Sequence, residues 1–145
     1  MKMLQCNSAA TARALVFMIL GLTSCRSSEE LKTEQYFVTG QQLYMTHCAN
    51  CHQMEGKGMS NLYPPIAGSS IISDKARLAY IVQYGMSDTI LVNGKKFSRP
   101  MPPNPKLTEI EIAEIVSFAS MKWGKDSVYT PIEFVHKALV DCKPD

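Results

Sequence analysis

Helical periodicity of apolar residues is clearest in the C-terminal half of the 145-residue chain. Thr108 and Glu111 form a capping-box pattern, in which each side chain can bind a free backbone N–H at a helix start. Apolar residues then recur 3, 4, 7 and 11 positions after Ile112, which is the spacing of one helical stripe. Gly124 is a typical helix end. The pattern therefore predicts a helix from Thr108 to Gly124 with one face in the core.

Three further helices are predicted from shorter stripes. A capping box at 39–42 opens a helix that starts near Thr39 and runs into Cys48. Ser73 and Asp74 cap a helix that ends at Gly85. A last short helix starts near Thr130, because Pro131 suits the first helical position.

The segments between these helices contain little periodic pattern. Asn93-Gly94 lies between extended-type residues and predicts a small hairpin or an irregular turn. Residues 62–68 and 98–105 are rich in proline, which excludes helix and favours extended backbone. Together the patterns predict a loop-rich, all-α domain.

The N-terminus has a different pattern. Residues 14–22 form an uninterrupted apolar run. Among the residues before this run, the charged ones are Lys2 and Arg13, and both are basic. Nine helical residues rise about 14 Å, less than half of a hydrocarbon core of about 30 Å. Residues 1–24 are therefore predicted to be an export signal rather than a membrane span.

The run ends in Leu22-Thr23-Ser24-Cys25, which resembles a bacterial lipobox. The resemblance implies that Cys25 is acylated and becomes the first residue of the mature protein. The alternative is an ordinary secretory signal cut near Ser24. With acylation, the protein is expected in the cell envelope, bound to a membrane through the lipid and facing the periplasm or the outside. Polar residues at 25–38 are predicted to form a flexible tether.

Removing the signal changes the charge balance. The chain has 15 Lys and Arg against 13 Asp and Glu, and two of the basic residues lie in 1–24. The mature protein is therefore near neutral, and its charge gives no support to nucleic-acid binding.

The most specific local pattern is Cys48-Ala49-Asn50-Cys51-His52, a C-x-x-C-H motif. It is typical of covalent c-type haem attachment, in which two thiols add to the porphyrin vinyl groups and the imidazole binds iron. It occurs once, which predicts one haem. A thioredoxin-like dithiol is disfavoured because no βαβ frame is visible. A zinc site remains as an alternative with a spacing unlike a zinc ribbon. Its four ligands would be Cys48, Cys51, His136 and Cys142.

From Thr39 to Gly124 the chain resembles a monohaem class I cytochrome c. The family's first helix carries a Gly and, four residues later, an aromatic before C-x-x-C-H, and Gly40 and Tyr44 match. Its distal loop ends in Met-Pro before an amphipathic helix, and Met101-Pro102 matches. The resemblance implies three to four helices around one covalent haem. Gly40 and Tyr44 would then touch Ile115 and Phe118.

Carried over residue by residue, the resemblance makes Cys48 and Cys51 the thioether sites, His52 the proximal ligand and Met101 the distal ligand. A carbonyl near the prolines of 62–68 is expected to accept the Nδ1–H of His52. Met86 is the main competitor for the distal position, whereas Met54 and Met59 follow His52 too closely. His47 and His136 are expected on the surface or in packing contacts.

These residues indicate an electron carrier, or the cytochrome arm of a respiratory complex, rather than an enzyme. Its partners would be redox proteins, and no small-molecule substrate is expected. The alternative is a peroxidase-like or gas-binding haem protein with an open distal site. Five cations are predicted near the haem, either as a solvated surface or as a rim that steers an acidic partner. They are Lys57, Lys95, Lys96, Arg99 and Lys106. The tail at 125–145, with Cys142, has no assigned role.

Overall fold

The computed structural model describes residues 26–141. The predicted signal at 1–24, the predicted acylation site Cys25 and the lone Cys142 lie outside the described residues. Within 26–141, no helix combines the length and apolar character needed to cross a bilayer.

The described chain is mostly helical, with five α-helices and one small sheet, as the all-α prediction required. The helices are α1 (Ser28–His47), α2 (Ala49–His52), α3 (Lys75–Tyr84), α4 (Glu109–Trp123) and α5 (Ile132–Asp141). A 3₁₀ turn covers Ser70–Ser73, and strands β1 (Ile90–Val92) and β2 (Lys95–Phe97) pair antiparallel. The one-turn helix α2 was not predicted as a separate element.

Helix α1 starts eleven residues before the predicted position near Thr39. Its N-cap is Ser27, whose hydroxyl accepts from the Glu30 N–H at 3.2 Å while the Glu30 carboxylate accepts from the Ser27 N–H at 3.0 Å. Tyr36 is buried in the core and its ring lies 4.6 Å from that of Tyr129. The prediction of a flexible tether is therefore wrong for residues 28–38. The cap at Ser27 and the burial of Tyr36 extend the helix through the predicted start at Thr39.

Helices α1 and α4 cross at Gly40. A β-carbon at this position would overlap the Glu114 carbonyl oxygen and lie 2.9 Å from Phe118 Cβ. The Tyr44 and Phe118 rings are 5.4 Å apart, which confirms the expected contact with Phe118. The closest group to Gly40 is the Glu114 backbone. The close crossing fixes the C-terminal end of α1, where the C-x-x-C-H motif follows.

The other predicted helix ends and the turn are confirmed. The Asp74 carboxylate accepts from the Arg77 N–H at 3.0 Å at the start of α3, which ends at Gly85. Glu111 accepts from the Thr108 N–H at 2.8 Å at the start of α4. Asn93 and Gly94 have positive φ values of 50° and 79°, as a tight hairpin turn requires.

Helix α4 is the centre of the core. All nine residues from Ile112 to Ser120 are buried, which a single apolar stripe does not predict. The helix is enclosed because α1, α3 and α5 all pack against it. The buried Ser117 hydroxyl donates to the Ala113 carbonyl and accepts from the Thr130 N–H, both at 2.7 Å. These two bonds satisfy a polar group on the face that the C-terminal extension covers.

Candidate functional site

The C-x-x-C-H motif folds as a single helical turn at the end of α1. Cys48 is the N-cap of α2, and the His52 N–H donates to the Cys48 carbonyl at 2.9 Å. Both thiols are free, with Cys48 buried and Cys51 half-buried. Burial raises the pKa of the Cys48 thiol to about 12, and the neighbouring Cys51 adds to the shift. The site therefore favours an uncharged sulfur at Cys48, and a thioether is uncharged.

The His52 ring is held by the proximal segment, residues 62–68. Its Nδ1 lies 3.0 Å from the Pro64 carbonyl oxygen, and this carbonyl can only accept, so Nδ1 is the protonated nitrogen. Nε2 is then left with a lone pair that can bind a metal. Burial lowers the pKa of His52, while the bond to Pro64 acts in the opposite direction. The neutral imidazole is the form that a metal needs.

Cys51 and His52 line a largely apolar cleft together with Met101 and Met86. Side chains from α3 and from the hairpin complete the apolar lining, among them Leu78, Ile81, Val82, Ile90 and Phe97. One cleft thus contains an imidazole, two thioethers and a thiol, and the second thiol is on the same turn. This donor set fits a haem that is attached through sulfur and bound at the iron by nitrogen and sulfur.

Met101 is held by its backbone in the Met101 loop, residues 98–105. Its N–H donates to the Met86 carbonyl at 2.8 Å, and the Met86 N–H donates to the Met101 carbonyl at 2.9 Å. Asn104 adds two bonds to the end of α3, from its N–H to the Gln83 carbonyl and from its side chain to the Val82 carbonyl, both at 3.1 Å. The Met101 loop is therefore anchored at two points, through Asn104 to the end of α3 and through Met101 to Met86, which follows α3.

Met86, the expected competitor, is the backbone partner of Met101. Its side chain lines the same cleft. Met54 and Met59 are 40% and 37% exposed and are not among the residues that line the cleft. The expectation that these two are badly placed is consistent with the structure.

The remaining histidines are not among the residues that line the cleft, although His47 directly precedes the motif. His47 is exposed, and the His136 Nδ1 is 3.0 Å from the Glu109 carboxylate on the surface. Across residues 26–141, no group of three His, Cys, Asp or Glu side chains is arranged to hold a metal ion. The alternative of a zinc site therefore gains no support from its described members, Cys48, Cys51 and His136.

Two of the residues that line the cleft were not singled out by sequence analysis. Arg77 and Tyr63 both line it, and the Arg99 guanidinium lies 5.1 Å from the centre of the Tyr63 ring. Arg77 lies three residues after the helix cap at Asp74 and was interpreted only as part of a helix. The apolar cleft thus carries two cations, Arg77 and Arg99, which suit the carboxylates that a haem bears at its edge.

Comparison with known sequences decides the family. A profile of the family described as cytochrome c matches residues 37–120, more than half of the chain. The chain belongs to the cytochrome c family. This cytochrome is therefore an electron-transfer protein with covalently bound haem c, and Cys48 and Cys51 are positioned for the attachment.

The cytochrome is similar to cytochrome c-552 of Thermus thermophilus, with 31% identity over 90 residues that cover 59% of this chain and 68% of that sequence. A second cytochrome c-552 of the same species is also 31% identical, but only 60% of its length is covered. The cytochrome c subunit of a quinone alcohol dehydrogenase from Gluconobacter oxydans is 31% identical over 93 residues, 61% of this chain and 19% of that subunit.

Proposed function

We propose that this cytochrome carries single electrons through one haem c attached to Cys48 and Cys51, with His52 and Met101 as the axial ligands. The observation that carries the proposal is a single apolar cleft lined by both His52 and Met101. The two residues are held independently, His52 by the Pro64 carbonyl and Met101 by the Met86 backbone.

The protein's contribution is to hold these groups in place while the haem supplies the one-electron chemistry. The Pro64 carbonyl fixes the tautomer and the orientation of the His52 ring. As a ligand, the soft Met101 sulfur would favour ferrous iron and would raise the potential relative to a second imidazole. If His52 and Met101 both bound the iron, no site would remain for oxygen or peroxide. The residues thus support electron transfer rather than peroxidase or gas-binding chemistry.

The proposed membrane attachment gives α1 a structural role. If Cys25 is acylated, only residues 26 and 27 separate the lipid from the first residue of α1. The 20 residues of α1 then span about 30 Å and end at the haem-attachment motif. The helix would act as a strut that limits how far the haem can move from the membrane.

The cytochrome is further proposed to meet an acidic redox partner through its exposed cations. Lys57, Lys95, Lys96, Arg99 and Lys106 are all exposed. Long-range attraction between a basic rim and an acidic surface accelerates encounter and weakens with salt. Similarity to a dehydrogenase cytochrome subunit makes a place in an oxidoreductase complex a reasonable variant of the proposal.

Two spectra test the proposed haem. A denatured pyridine haemochrome of the purified protein should show the c-type band, and the pigment should resist extraction with acid acetone. The reduced protein should show little change when carbon monoxide is added. A large shift would indicate an open distal site and would refute Met101 ligation.

A rate measurement tests the proposed rim. The second-order rate of reduction by an acidic redox protein should fall as ionic strength rises. A flat response would remove the rim from the proposal.

A further inference from the structure

The cation–π pair formed by Tyr63 and Arg99 connects the two segments that hold the proposed axial ligands. Tyr63 directly precedes Pro64, whose carbonyl binds His52. Arg99 lies two residues before Met101 in the Met101 loop. The Arg99 guanidinium is 5.1 Å from the centre of the Tyr63 ring, within the range of a cation–π interaction. Both side chains line the cleft.

Tyr63 stands on a backbone that is tied to the His52 turn. Its carbonyl accepts from the Met59 N–H at 3.1 Å, and its N–H donates to the Met59 carbonyl at 3.3 Å. The adjacent Gly58 N–H donates to the His52 carbonyl at 2.9 Å. The backbone that carries the Tyr63 ring is thus tied to the His52 turn.

Arg99 stands on an equally restricted backbone. Pro100 has a fixed φ, and Met101 beyond it is bonded in both directions to Met86. Within residues 26–141, Arg99 forms no salt bridge with a carboxylate. Among the described residues, no ion pair therefore competes with the Tyr63 ring for the Arg99 guanidinium.

We propose that Tyr63 and Arg99 are positioning residues that form a clasp between the proximal segment and the Met101 loop. The clasp opposes the loop movement by which the Met101 sulfur would leave the iron. This inference rests on the proposed His52 and Met101 ligation. It assigns the clasp no contact with the iron and no part in electron transfer itself.

The size of the effect follows from the contact. An exposed cation–π pair contributes about 0.5–1 kcal/mol, which corresponds to a two- to fivefold change in an equilibrium. Loss of the clasp should therefore raise the population of the form with Met101 detached by about two- to fivefold.

Binding of imidazole to the oxidised protein measures that population. Imidazole must displace the Met101 sulfur, so one iron–sulfur bond breaks, one iron–nitrogen bond forms and the iron keeps its oxidation state. The rate is measured at a pH well above the pKa of imidazole, where the ligand is neutral, so the loss of a protein charge has little direct effect on its approach. Stopped-flow absorbance in the holoprotein gives the binding rate.

The substitutions separate the effects of the Tyr63 ring, the Tyr63 hydroxyl and the Arg99 charge. Arg99→Gln and Tyr63→Leu should each raise the imidazole binding rate about two- to fivefold. The double variant should bind no faster than either single variant, because both remove the same contact. Tyr63→Phe keeps the ring and should bind at the wild-type rate, as should Lys122→Gln, which removes an exposed charge elsewhere.

Additive effects in the double variant would overturn the clasp. So would an effect of Arg99→Gln that Tyr63→Leu does not reproduce, because Arg99 would then act through the haem carboxylates. Failure of the proposed function is seen separately, as an oxidised wild-type spectrum without a sulfur-to-iron band. All variants must show the c-type pyridine haemochrome before their rates are compared.

Discussion

Substitution of Gly85 by Ala tests how the fold holds the Met101 loop. Gly85 ends α3 with a positive φ of 73°, directly before Met86. A β-carbon there would overlap the Met101 carbonyl oxygen and lie 2.7 Å from the Pro103 nitrogen. Both neighbours are backbone atoms, so no side-chain rotation can relieve the overlap. The Met101 loop would have to move.

Two contributions set the magnitude. A non-glycine residue at the Gly85 backbone angles, a φ of 73° with a ψ of −169°, costs about 1–3 kcal/mol because almost only glycine occupies this region. Displacing the Met101 loop would break the two backbone hydrogen bonds between Met86 and Met101, each of which contributes about 0.5–1.5 kcal/mol to stability. The free energy of unfolding should therefore fall by about 2–6 kcal/mol, and Met101 should bind the iron less well.

Gly94→Ala is a matched control for the backbone contribution. Gly94 has a similar φ of 79°, but no atom lies within 4 Å of its β-carbon position. Denaturant unfolding should show a loss of about 1–2 kcal/mol for Gly94→Ala. The oxidised sulfur-to-iron band should weaken in Gly85→Ala alone. An unchanged band in a folded Gly85→Ala protein, or equal stability losses in both variants, would refute this account of the Met101 loop.

Two further predictions concern α1 and the buried carboxyl of α4. Ser27→Ala should lower the free energy of unfolding by about 0.5–2 kcal/mol, because it removes the N-cap of α1. Thr39→Ala should lower it less, because Thr39 lies inside the helix. A larger loss for Thr39→Ala than for Ser27→Ala in denaturant unfolding would support a helix start at Thr39. Burial raises the pKa of Glu114 above its usual value of 4.5, so the folded state holds this proton more tightly than the unfolded state. The stability that the protonated Glu114 carboxyl contributes is therefore present below the unfolded-state pKa and is lost as pH rises through the folded-state pKa. Glu114→Gln should gain stability relative to wild type as pH rises from about 4 to 7; a pH-independent difference between the two unfolding curves would contradict the raised pKa.

Local signals explain which parts of the fold were predictable. The caps at Asp74 and Thr108 and the turn at Asn93-Gly94 act within a few residues, and the structure has all three. The start of α1 was missed although Ser27 and Glu30 form a capping box of the same type. The polar composition of 26–35 suggested a tether, whereas contacts with the distant Tyr129 bury Tyr36.

The candidate site divides in the same way. Cys48, Cys51 and His52 lie within five consecutive residues, so one helical turn brings them together whatever the rest of the chain does. The bond from His52 to Pro64 was expected from the proline-rich segment, and the structure confirms it. The pairing of Met86 with Met101 and the contact of Arg99 with Tyr63 join residues more than a dozen positions apart. Sequence spacing carries no signal for either pair.

The oxidised near-infrared spectrum tests the central claim most directly, because the sulfur-to-iron band reports a methionine on ferric haem. It should be compared for the wild-type protein and for Met101→Leu and Met86→Leu, two volume-conserving changes in the same cleft. The account predicts the band in the wild type and in Met86→Leu, and its loss in Met101→Leu. A band that persists in Met101→Leu, or that disappears in Met86→Leu alone, would contradict it.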